Sequence, residues 1–76
     1  YNMSNDYSKL LGAITEKMGT QLAFAQAMGV SERSISLKLN NKVSWKDSEI
    51  SKAVEVLGLD PKDIPAYFFK YKVHEA

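Results

Sequence analysis

The chain has 76 residues, 45% of them hydrophobic and 25% charged, with a formal net charge of +1 and no cysteine. So short a chain buries only about 60% of its unfolded surface, which sets the scale at one small domain with one core. The missing cysteine excludes disulfides and thiolate sites, and the single histidine, His74, placed close to the end of the sequence, argues against a zinc-ligand set and a histidine-based triad.

No apolar run reaches the ~20 residues that a bilayer span needs, and no secretory leader is visible, so a soluble cytoplasmic protein without membrane contact is expected. Met3 is the expected native start, with Tyr1 and Asn2 standing before it as added residues.

Asp6 predicts the cap of a first helix, whose apolar residues Leu10, Leu11, Ile14 and Met18 recur at helical spacing until Gly19. Thr20 predicts a second cap, opening a short helix through Met28 with Leu22, Ala25 and Met28 at a three-residue spacing. Gly29 stops it in a turn that needs a left-handed backbone. Ser31 caps a third helix running to about Asn40. Ser44 and Asp47 form a capping box for a fourth, lined by Ile50, Ala53, Val54 and Leu57 and ended by Gly58. Asp60 and Pro61 open a fifth, with Asp63 completing a second capping box and Pro65 limiting its length. Phe69 to Val73 alternates apolar and basic residues like a strand, while Ile64, Phe68 and Tyr71 are also spaced to continue helix five; periodicity does not choose between them. The fold class is all-α, a compact five-helix bundle with a strand-like C-terminal segment.

Charge is uneven along this string. Residues 20–46 carry Arg33, Lys38, Lys42 and Lys46 against Glu32 alone, whereas residues 47–69 carry Lys52 and Lys62 against Asp47, Glu49, Glu55, Asp60 and Asp63. A basic middle third points to an anionic partner or to an ordinary solvated face.

The most specific stretch is TQLAFAQAMGVSERSISLKLNNK, from Thr20 to Lys42. Two short helices joined by a glycine turn make a helix-turn-helix. Gln21, Ala25, Gly29, Val30 and Ile35 meet its spacing: a small residue where the helices cross, a turn glycine free of Cβ clash, and apolar residues sealing the angle.

On these residues the chain resembles the Cro and repressor family of phage helix-turn-helix regulators, also called xenobiotic-response-element-like. SERSISLKLNNKVSWKDSEI and the ending AYFF look like small regulators encoded in prophages of Gram-positive bacteria. The resemblance spans roughly Asp6 to Phe69 and implies a lambda-repressor-like fold: residues 1–5 as a flexible lead, 6–69 as a DNA-binding domain and 70–76 as a tail. It departs from the family pattern at Lys38, where an apolar residue is usual, and at Asn41, where glycine is common. Either Leu39 takes over the core role at the first departure or the third helix is slightly rotated; Asn41 must tolerate a left-handed conformation.

The implied function is a dimeric transcriptional regulator that binds operator DNA, with helix three in the major groove. Glu32, Arg33, Ser36 and Leu37 would face base edges, Arg33 being suited to guanine O6 and N7. Glu32 would accept from a cytosine amino group or simply sit well at a helix N-terminus, and Leu37 would touch a thymine methyl or pack in the core. Thr20, Gln21, Ser31, Lys38, Asn40, Lys42, Ser44 and Lys46 would hold phosphates.

Trp45 reads as a core or hinge residue. One domain offers little interface, so a homodimer on half-sites about 34 Å apart is expected, with Phe69, Tyr71 and Val73 as its contact and Tyr67 and Phe68 closing the core. No enzyme is expected, because each carboxylate pair lies at a helix start and no phosphate loop, metal spacing or positioned base is present. No cofactor and no small-molecule ligand are expected. The competing reading is a helix-turn-helix whose target is a protein, as in an antitoxin or adaptor.

Overall fold

An acidic side chain just ahead of a helix can satisfy one of the backbone N–H groups left unpaired in the first turn. Asp6 does so: its carboxylate accepts the Ser8 N–H at 3.0 Å, with Tyr7 at the N-cap position of α1 (Ser8–Met18). That hydrogen bond holds the Asp6 carboxyl below the usual carboxylate range. Its contribution to the helix start is therefore present at neutral pH and lost as pH falls through the lowered value. In the computed structural model, which describes residues 4–72, the order continues with α2 (Gln21–Met28), α3 (Glu32–Leu39) and α4 (Asp47–Leu57). A 3-10 turn (Pro61–Asp63) then leads into α5 (Ile64–Phe68), completing the expected five-helix bundle.

Thr20 and Ser31 cap as their chemistry dictates, accepting from Ala23 N–H and Ser34 N–H, each at 3.1 Å. Gly29, with φ 75°, lets Val30 N–H reach the Ala25 carbonyl and closes α2. A Cβ there would meet nothing within 4 Å, so the positive φ, not a clash, is what calls for glycine.

Asn41 does the same work after α3. At φ 61° it is the one non-glycine residue with positive φ among those described, and Lys42 N–H reaches back to the Leu37 carbonyl at 2.9 Å. Asparagine is chosen for a second reason: its amide pairs with both backbone groups of Asn5, at 2.9 and 3.0 Å. Asn41→Gly should keep the turn and lose this clamp, whereas Asn41→Ala should lose the clamp and strain the turn. The expected order of thermal stability is wild type, then glycine, then alanine, with alanine about 2 kcal/mol below wild type.

Three expectations about element ends are corrected. Helix α4 starts at Asp47, with Lys46 rather than Ser44 at the N-cap position. A lysine side chain cannot accept, so the turn is closed from the other direction: Glu49 Oε1 accepts Lys46 N–H at 2.8 Å. Asp63 does not complete a second box; Asp60 accepts from Lys62 N–H at 3.0 Å, and Asp63 heads α5 without a side-chain cap. Pro65 lacks the N–H that would bond the Pro61 carbonyl, and Ile64 makes the tighter i−3 bond instead. Of the two readings left open after Phe68, the described residues show no continued helix and no strand, only a single antiparallel bridge between Tyr71 and Asn5. Ser4 and Asn5, expected in a flexible lead, are therefore paired.

The core is Tyr7, Leu10, Ile14, Phe24, Ala25, Met28, Ile35, Leu39, Ile50, Ala53, Leu57 and Phe68. Of the spaced residues Leu22, Ala25 and Met28 only the last two are buried; Phe24 joins them in the core and Leu22 is 48% exposed. Helix α2 packs on α1, α3 and α4, so the two helices of the turn are braced from behind and their outer face is left open.

Candidate interaction face on helices two and three

Helix α3 is anchored by Ile35 and Leu39 on its inner side. A helix repeats every 3.6 residues, so this anchoring turns Glu32, Arg33, Ser36 and Leu37 outward together. They line one depression of about 390 Å³, with Gln21 of α2 as the remaining wall. Glu32 and Arg33 are exposed, while Ser36, Leu37 and Gln21 are half-buried.

The four α3 residues expected on one outward face stand together in the structure. Gln21 was assigned to the flank and belongs to the same depression. Leu22, exposed beside Gln21 in sequence, adds apolar surface at the start of α2.

The flanking residues separate into groups. Thr20 and Ser31 are exposed, but their hydroxyl oxygens are committed to helix caps. Asn40 folds its amide N–H back onto the Ser36 carbonyl at 2.8 Å. Lys42, Ser44 and Lys46 are exposed on the loop between α3 and α4.

Lys38, expected on a phosphate, is instead buried at 6% exposure, with Nζ 3.3 Å from Glu49 Oε2. A buried ammonium requires such a partner, and Glu49 binds it while also capping α4. This pair was missed because Glu49 reads equally well as an ordinary acid in a helix first turn. Both departures from the resembling family are thus resolved: Lys38 and Leu39 are buried side by side, and Asn41 takes the left-handed turn.

The pairing changes the charge of the face. With Lys38 and Glu49 matched, the exposed charges from Ser31 to Asp47 are Arg33, Lys42 and Lys46 against Glu32 and Asp47. At the far end of the chain, Phe69 and Tyr71 are 49% and 51% exposed, while Val73 lies outside the described residues. Tyr67 is half-buried, with Lys9 Nζ 4.9 Å from its ring centroid, and Phe68 is buried. Trp45 is a core-edge residue, set edge-on between Tyr7 and Phe68. No group of metal-ligating side chains is present among the described residues, and no described helix is long and apolar enough to cross a membrane.

Comparison with known proteins places this geometry. The chain is similar to the modulator of repression (MOR) of the temperate bacteriophage TP901-1 from Lactococcus lactis, known as a solution structure. Identity is 70% and the TM-score 0.79, over 93% of this chain and 96% of that one. No curated protein matches significantly. The profile of the family described as protein of unknown function DUF739 covers residues 3–71, and the chain belongs to that family.

Proposed function

We propose that the protein is a phage regulator of repression whose working surface is the outer face of α2 and α3, and that this face engages a repressor protein. The regulatory role follows from its likeness to a modulator of repression, at 70% identity over nearly the whole of both chains. The observation that carries the placement is the depression walled by Gln21, Glu32, Arg33, Ser36 and Leu37. Its chemistry suits a protein better than phosphates. Arginine in one depression with an apolar side chain, here Leu37, is the usual content of a protein–protein contact. Tight DNA binding draws instead on several unpaired cations, and burial of Lys38 removes one of four from this region.

Operator DNA is the second reading, favoured by one feature. The N-terminal end of α3 is capped and open, as a recognition helix needs to be. In that reading Arg33 and Glu32 meet base edges with Ser36 and Leu37, and Lys42, Ser44 and Lys46 meet phosphates. Thr20, Gln21, Ser31 and Asn40 complete the flank, and a second copy contacts Phe69 and Tyr71.

Titration against the DNA-binding domain of the phage's repressor and against operator duplex separates the two readings. Arg33→Ala should weaken the protein complex at least tenfold, the cost of a typical arginine hot spot, with the circular dichroism spectrum unchanged. Duplex alone should bind in the non-specific range, about 10⁻⁴ to 10⁻⁶ M at physiological salt. Nanomolar, sequence-selective duplex binding with a steep salt slope would reverse the order of the two readings.

A further inference from the structure

Among the described residues, the paired terminal segments leave one edge unmatched. Residues 4–6 and 70–72 run antiparallel, joined by Asp6 N–H to the Lys70 carbonyl and by Lys72 N–H to the Ser4 carbonyl at 2.7 Å. In this register the central residues, Asn5 and Tyr71, do not bond each other, and their N–H and C=O groups point away from the pair on opposite sides. Asn5's groups are met by the Asn41 amide, which stands in for a strand. Tyr71's N–H and C=O have no partner among the described residues. Lys70, Tyr71 and Lys72 are all exposed, as is Phe69 before them.

We propose that the outer edge of residues 70–72 docks an extended acidic segment of a protein partner, added as a third strand. Backbone pairing would come from the Tyr71 N–H and C=O, which meet no partner among the described residues, as in strand addition generally. Charge selects the occupant. A second copy paired antiparallel about Tyr71 would set Lys70 against Lys72 of its partner twice, and like charges directly opposite are destabilising. Glutamate or aspartate at those two places, with an apolar residue between them facing Tyr71, converts both contacts to attraction. The lysines thus guard the edge against copies of this chain while leaving it open to an acidic strand.

The test uses the full chain labelled with ¹⁵N and two peptides, one alternating glutamate and valine, the other lysine and valine. The glutamate peptide should give saturable shifts at Lys70, Tyr71 and Lys72, with slowed exchange of the Tyr71 amide. It should bind about tenfold tighter than the lysine peptide, because two cross-strand charge contacts change sign. The double variant K70E/K72E, altered only at exposed positions, should reverse that preference. Arg33→Ala should leave it untouched, which separates this site from the α2–α3 face. Equal affinity for both peptides, shifts confined to α2 and α3, or concentration-dependent protection of Tyr71 without peptide would each overturn the proposal.

Discussion

Glu49→Ala is expected to destabilise the protein by about 3 kcal/mol, the low end for breaking a buried ion pair, because the Glu49 side chain keeps 20% exposure. The change strands the Lys38 ammonium in the core and removes the acceptor for Lys46 N–H, so α4 loses its cap in the same step. At this chain length each kcal/mol moves the melting temperature by about 4–8 °C, so a fall of about 15 °C is expected by calorimetry.

Lys38→Met should behave in the opposite way. It fills similar volume, removes the charge that needs a partner, and should leave the melting temperature unchanged or raised. A fall after Lys38→Met as large as after Glu49→Ala would show that the pair itself stabilises the fold, beyond the cost of leaving one charge alone.

Phe68→Ala is expected to cost about 3–5 kcal/mol, the usual range for deleting a buried phenyl ring. Phe68 is 1% exposed and lies edge-on to Trp45, with centroids 5.2 Å apart, and Trp45 in turn meets Tyr7 at 6.5 Å. Helix α5 is only five residues long and has no side-chain cap, so this packing is what holds it. A domain of this length has roughly 4–11 kcal/mol of stability in all, so a substantial part is removed. Trp45 is the sole tryptophan, and its emission should shift to the red at a lower denaturant concentration than in wild type. Phe69→Ala, next in sequence but half exposed, should move the midpoint little, within about 0.5 kcal/mol.

The parts of this fold that were legible in the sequence obey local rules. Thr20, Ser31, Gly29 and Gly58 act on backbone groups within a few residues of themselves, and their chemistry placed both ends of α2, the start of α3 and the end of α4. The outward residues of α3, Glu32, Arg33, Ser36 and Leu37, were legible too, but the helix phase was not: Lys38 left two phases open, and only the burial of Leu39 beside Ile35 chooses between them. What was not legible depends on distant residues. Ser44 has the chemistry of a cap, but residues 44–46 remain non-helical with Trp45 lodged between Tyr7 and Phe68, and α4 begins after them. Lys38 looked like surface charge because its partner is eleven positions away on another helix. Asn41 could be read as a turn residue, but its grip on Asn5 lies 36 residues away and no local pattern announces it.

Which surface of the protein does the work can be read from a single titration. The ¹⁵N-labelled protein is titrated with the DNA-binding domain of the phage's repressor, and backbone shift changes are mapped along the chain. The largest changes are expected at Gln21, Glu32, Arg33, Ser36 and Leu37, where α2 and α3 wall the depression, and are lost in Arg33→Ala. Large changes confined to α1, α4 or α5, with the α2–α3 face unmoved at saturation, would contradict it.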